Sequence, residues 1–266
     1  MEAMSKFLFP APSNWFVSAM SVVSLVSLAN AGLSEIRGNS MKYSKFFNET
    51  EKKNKKIHKV SGRNGMLIAY TPAFMSAVAS FAIFPDEGVR ALLVKSALTF
   101  HFFKRILEVV FIHKYSGGME VETAIPISLS YLISAVTMVF AQHLTQGYAG
   151  PEIDMSYPGI VVFLIGMSGN LYHHYLLSKL RSDKDKDKEY KVPRGGLFKL
   201  VICPHYMFEI IGFWGVSFMS QTLYAFCFTL GTTLYLMGRS YATRRWYLSK
   251  FEDFPINVKA LIPFVF

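Results

Sequence analysis

Residues 170–209 read NLYHHYLLSKLR, SDKDKDKEYKVPRGG and LFKLVICPHYMFE in succession. The first and last pieces lie inside apolar runs long enough to cross a bilayer, and they carry Asn170, His173, His174, His205 and Glu209. Ionisable groups at membrane depth are costly and persist where they face a bundle interior or a wet cavity. The middle piece is so polar that it must lie in water. One short segment therefore joins two membrane helices that present polar groups near the same aqueous surface. A lone Asn or His in such a place commonly serves as interhelical glue. A group of five points to a site.

Working outward, the chain of 266 residues is 52% apolar and 15% aromatic, with a mean hydropathy of +0.28. Repeated apolar runs near the length of a bilayer crossing mark an integral membrane protein, with no room for a sizeable soluble domain. The formal charge of +10 does not point to nucleic acid, because the basic residues gather in the loops between apolar runs. Cys203 and Cys227 form no CxxC or metal-ligand spacing, so no metal site or disulfide framework is expected. No GxGxxG or Walker pattern occurs, which argues against a soluble nucleotide-binding fold.

Seven apolar runs follow one another, at 15–33, 66–84, 88–112, 122–144, 157–177, 197–219 and 222–247. The first exceeds an ordinary signal-peptide core and reads as a retained helix. In the third, His101, Arg105 and Glu108 follow helical spacing and cannot comfortably face lipid. With seven spans the loops alternate, and the charges then sort. Loops 35–65, 113–121 and 179–194 and the end from Arg239 hold nearly all loop Lys and Arg, while the other side has only Lys6 and Arg90. The positive-inside rule makes the amino terminus lumenal and the carboxy terminus cytosolic. The expected fold is an all-α integral membrane bundle of seven transmembrane helices, a single domain over 1–266. Its amphiphilic tail is expected to lie along the interface.

Spacing places polar groups on faces. Asn170, His174, Ser178 and Arg181 step by four, four and three along one helical stripe. His205 and Glu209 are four apart, with Tyr206 three before Glu209, and Arg239, Thr243 and Tyr247 step by four. At 1.5 Å per residue from the cytosolic ends, Asn170 and Arg239 lie roughly 12 Å deep and Glu209 roughly 18 Å. A pocket open to the cytosol and lined by the last three helices satisfies all three stripes. Arg181, Arg194, Arg239, Arg244 and Arg245 near its mouth suit a large polyanion. The alternative, a buried Glu209–Arg239 structural pair, accounts for only two of these residues.

Several separated pieces also match one family in its order: HFFKRILEVVFIHKYSGG, GMSGNLYHHYLLSKLR, EYKVPRGGLF, CPHYMFEIIGFWG, GRSYATRRWYLSKFEDFP and ALIPFVF. Over about 92–266 the chain resembles the steroid 5α-reductases, seven-helix membrane reductases that take hydride from NADPH. The resemblance implies cofactor binding by Asn170, His174, Arg181, Tyr190, His205, Glu209, Arg239, Thr243 and Tyr247, with loop 182–196 closing over NADPH. His174 stands where the steroid enzymes carry Asp and resembles the enoyl-CoA branch. His205, in CPHY, resembles the polyprenol-reductase branch, and Thr243 replaces a His. The steroid enzymes polarise the substrate ketone with a Glu before Pro on the second helix and a Tyr after His on the third. Here those positions hold Tyr70, in AYTPAF, and Phe102, in HFFKR.

The expectation is an NADPH-dependent reductase of a carbon–carbon double bond conjugated to a carbonyl, in the endoplasmic reticulum membrane. The lipid-soluble substrate is a 3-oxo-Δ4 steroid, with a trans-2-enoyl-CoA or a polyprenol as alternatives, and a non-catalytic lipid-binding protein as a different class. A phenol donates to the carbonyl oxygen. Helix depth ranks Tyr206, beside Glu209, ahead of Tyr70.

Overall fold

The computed structural model describes residues 6–11, 13–43, 45–47, 58–115, 117–180 and 190–266. Seven long helices stand among them. They are α1 (Trp15–Ile36), α2 (Gly62–Ile83), α3 (Gly88–Leu107, continued by a π turn over Glu108–Ile112), α4 (Val121–His143), α5 (Ser156–Lys179), α6 (Pro204–Ser220) and α7 (Leu223–Lys250). Side-chain caps open three of them: Asn14, Ser61 and Thr222 accept from the backbone N–H of Val17, Asn64 and Ala225. Four helices, α1, α2, α4 and α5, are long and apolar enough to cross a membrane. The fold is all-α, and its apolar helices mark a multi-pass membrane protein.

Six of the seven expected runs each coincide with one helix. The run at 197–219 does not, because its first residues take other shapes. Gly195 and Gly196 have φ of 88° and 49°, values that glycine adopts without the Cβ clash other residues meet. A short 3₁₀ turn over Gly196–Lys199 follows. The chain then pairs with the tail: Lys259 N–H donates to Leu200 O at 2.9 Å, and Ile202 and Cys203 N–H donate to Lys259 and Ala260 carbonyls at 2.9 and 3.2 Å. Pro204 takes the first helical position, where its missing N–H leaves no bond unmade. The tail packs one face on the bundle, with Phe254, Val258 and Leu261 buried beside Ile202, Cys203 and Trp246, while Ile256, Phe264 and Val265 stay exposed on the other.

Two helix pairs pack most closely, α5 on α6 and α1 on α7. Glycine permits both. A Cβ on Gly166 would fall on the Gly212 backbone nitrogen, and one on Gly238 would fall on the Gly32 carbonyl. Small residues that let backbones approach drive helix association where lipid surrounds the pair.

The sequence reading missed one small sheet. β1 (Lys59–Ser61) runs antiparallel to β2 (Gly118–Glu120), with Val60 opposite Met119, and Tyr43 forms an isolated bridge to Met119. It joins the segments before α2 and α4 and the segment after α1 at one end of the bundle. At the opposite end Arg90 reaches Asp154 at 2.8 Å and the Gln221 side chain at 2.7 Å, and Glu87 meets Lys95 at 3.0 Å and His143.

Candidate functional site: a polar cavity between the helices

A cavity of about 380 Å³ lies inside the bundle toward the strand-bearing end. α5 and α6 contribute His174, His205, Tyr206 and Glu209 to its wall, and α7 contributes Arg239, Thr243 and Tyr247. Tyr70 of α2 and Tyr190 complete the expected residues found there. Two expected residues remain, Arg181 and Asn170. Arg181 and the loop after it to residue 189 lie outside the described residues. Asn170 is buried one layer back, where Lys104 Nζ donates to its Oδ1 and its Nδ2 donates to the His205 carbonyl at 2.8 Å. It anchors the first turn of α6 at the level of mid-α5. His173 is held from two sides: its Nδ1 bonds the Gly169 carbonyl at 2.7 Å, and its Nε2 accepts from Leu197 N–H at 3.2 Å.

The basic mouth differs from expectation. Arg244 donates to the Val258 and Ile256 carbonyls, both at 2.7 Å, and Arg245 to the Ile36 carbonyl at 3.2 Å. These two arginines hold the tail and α1. Lys45, Lys114 and Lys191 supply positive charge to the lining instead.

The Glu209–Arg239 pair weighed from the sequence is not formed. Arg239 Nη1 donates to Glu35 Oε1 of α1 at 2.8 Å and to the Met41 carbonyl at 3.2 Å, with the guanidinium 4.1 and 4.3 Å from the Tyr43 and Phe46 ring centres. Glu209, by contrast, has no hydrogen bond or ion pair among the described residues, and its carboxylate oxygens are not sealed off.

On the α3 side stands a charged cluster. Arg105 donates to Glu108 Oε2 at 2.7 Å through Nη1 and to the Tyr70 hydroxyl oxygen at 2.6 Å through Nη2. Lys104 Nζ is 2.9 Å and His174 Nδ1 3.0 Å from Glu108 Oε1. Glu108 sits at the start of the π turn, a rare helix geometry that is frequent at functional sites. Glu108, His113 and His174 bring possible metal-ligand atoms within 4.8 Å of one another. The carboxylate there is already engaged by two cations, which disfavours a metal ion. Burial first, then His174 and Arg105, push the pKa of His113 down to about 2, so it is neutral at physiological pH.

Sequence periodicity flagged Arg105 and Glu108 as unable to face lipid but assigned them no role. Lys104, Tyr43 and Glu35 it missed altogether. Glu35 and Arg239 are 204 residues apart, and no local pattern announces such a pair.

Residues 124–266 match the family described as 3-oxo-5-alpha-steroid 4-dehydrogenase. The chain belongs to that family. The relatives are oxidoreductases acting on CH–CH groups, and this chain is one of that class. The steroid 5-alpha-reductase DET2 of Gossypium hirsutum is 31% identical over 201 residues, 70% of this chain and 76% of that protein. A very-long-chain enoyl-CoA reductase of Dictyostelium discoideum is 31% identical over 189 residues, 69% of this chain and 62% of that protein. The 3-oxo-5-alpha-steroid 4-dehydrogenase 1 of Macaca fascicularis is 40% identical over 108 residues, 41% of this chain and 40% of that protein. The matches thus span less than two thirds of the latter two relatives.

Proposed function

We propose that this chain is an NADPH-dependent reductase of a carbon–carbon double bond conjugated to a carbonyl, with seven membrane spans, in the endoplasmic reticulum. Its substrate is a 3-oxo-Δ4 steroid. The observation that carries the reading is the Glu209 carboxylate, unpaired among the described residues and lining one cavity with Tyr70 and Tyr206. The donor set suits the cofactor. A carboxylate accepts from a carboxamide N–H, and Lys45, Lys114 and Lys191 of the lining suit phosphates. NADPH, when bound, supplies the hydride that reaches the β-carbon.

The chain's own residues then manage charge. As hydride arrives, negative charge grows on the carbonyl oxygen, and a phenol O–H aimed at it gains strength in the transition state. Arg105 donates to the Tyr70 oxygen, which leaves the Tyr70 proton for an acceptor in the cavity and makes that proton a better donor. Tyr206 lies in the first turn of α6, level with Asn170, so depth no longer separates it from the rest of the wall. Arg105 ranks Tyr70 first.

A second reading, reduction of a trans-2-enoyl-CoA, is favoured by Tyr206 beside His205 in CPHY and by the similarity to the enoyl-CoA reductase. The test is NADPH oxidation by purified protein with each substrate, together with NADPH binding by Glu209→Gln. A hydrogen bond to a charged group contributes about 1.5–3 kcal/mol, so the dissociation constant should rise about 10- to 100-fold with the melting temperature unchanged. Unaltered binding would remove Glu209 from the cofactor site.

A further inference from the structure

Phe102 stands where the resemblance expects a hydroxyl, and the structure carries a hydroxyl in front of it. Tyr131 of α4 has its ring centre 5.7 Å from that of Phe102 and 5.4 Å from that of Tyr70. Tyr70 and Tyr131 line the cavity, and Phe102, 3% exposed, does not. The Tyr131 ring therefore stands between Phe102 and the space a substrate would fill. Its hydroxyl makes no hydrogen bond among the described residues, yet it is not one of the sealed-off polar atoms. Tyr131 is half-buried, and a tyrosine hydroxyl in such a place normally finds a partner. On the cavity wall that partner is solvent, or a ligand that displaces it.

We propose that Tyr131 is a second hydrogen-bond donor to the substrate carbonyl, forming with Tyr70 a two-phenol site for the developing oxyanion. The inference rests on the reductase reading above and deepens it. Rings this close on neighbouring helices can present their hydroxyls to one acceptor atom. Arg105 supports the Tyr70 side, and the packing of Tyr131 against Tyr70 and Phe102 fixes the other ring. Such a site selects its substrate. A ketone or thioester oxygen satisfies both donors, whereas an allylic hydrocarbon of the same shape leaves two hydroxyls unpaired. The chemical class it takes is a conjugated carbonyl compound with an apolar body, which Leu28, Phe213 and Phe228 of the same lining accommodate.

The experiment compares the full-length protein with Y131F. Three quantities are read: NADPH oxidation with a 4-en-3-one steroid and with a trans-2-enoyl-CoA, the red shift of the enone absorbance on binding, and affinity for the matching steroid without the 3-oxo group. The expected result is a fall in kcat of about 10²-fold or more, the scale for losing one oxyanion donor. The enone shift should shrink while affinity for the deoxy steroid stays unchanged. The removed hydroxyl holds no bond among the described residues, so the melting temperature should stay as well. Full turnover and full shift in Y131F overturn the proposal and leave the reductase reading intact. A melting temperature lowered in step with turnover also overturns it, because the role is then structural. An unaltered protein that shifts the enone band but oxidises no NADPH, and loses the shift in Y131F, supports the donor and sinks the reductase reading. No shift and no turnover in the unaltered protein sinks both.

Discussion

Tyr70 and Tyr206 share a cavity but differ in what stands behind them. Arg105 donates to the Tyr70 oxygen at 2.6 Å, whereas the hydroxyl of Tyr206 has no partner among the described residues. Tyr70→Phe is therefore expected to lower turnover by about 10²–10⁴-fold, the span for removing a positioned acid or oxyanion donor, and Tyr206→Phe by less. Steady-state NADPH oxidation by the two variants decides the order, and the reverse ranking would return the donor role to α6. A second residue-scale expectation concerns stability. Glu35 and Arg239 are 1% and 2% exposed, and removing one partner of a buried pair strands the other charge. Glu35→Ala should cost about 3–5 kcal/mol, read as a lower denaturation midpoint. A midpoint within error of the unaltered protein would mean that the Tyr43 and Phe46 rings and the Met41 carbonyl hold Arg239 unaided. Steps of four made most of this site legible: His205 with Glu209, and Arg239 with Thr243 and Tyr247, do line one cavity. Partners from far away in sequence were not legible, since neither Glu35 nor Tyr131 belongs to any stripe on the last three helices.

At the scale of elements, hydrophobic runs located the seven long helices among the described residues, but they could not say where backbone stops being helical. The run at 197–219 is apolar from its first residue, yet Gly195, Gly196 and Pro204 reshape its beginning into a 3₁₀ turn and a stretch paired with the tail. The tail's amphiphilic composition likewise did not announce its backbone pairing with Leu200 and Cys203. Helix contacts give a sharper expectation. Gly166→Ala puts a methyl group against the Gly212 backbone, which cannot swing away as a side chain would. Overpacking of this kind costs about 1–3 kcal/mol. Thermal melting should show the loss at Gly166→Ala and little change at Gly150→Ala, where a Cβ meets nothing within 4 Å. Equal melts would separate α5 from α6 by more than the structure does.

For the whole molecule, the two ends differ in charge and in contacts. Arg90, Asp154 and Gln221 meet at one end, and the strand pair and the packed tail lie with the basic segments at the other. Seven spans with the basic end cytosolic would follow the positive-inside rule. Glycosylation acceptors inserted near 150 should then be modified, and those near 185 or after Phe266 left bare. Modification near 185 in an active protein would invert the orientation and count against a cofactor site that opens to the cytosol.

The pairing of α1 with α7 also has a history within each molecule. The ribosome makes Glu35 early, and Arg239 emerges 204 residues later. Until then the first helix carries an acid with no counter-charge and a Gly32 face with nothing against it. An unpaired carboxylate in a membrane segment is costly and calls for water or a companion. Of the seven long helices described, α1 must therefore wait for α7, and the cavity wall to which both contribute closes only once α7 is made. A chain cut short before α7 keeps that acid without its counter-charge.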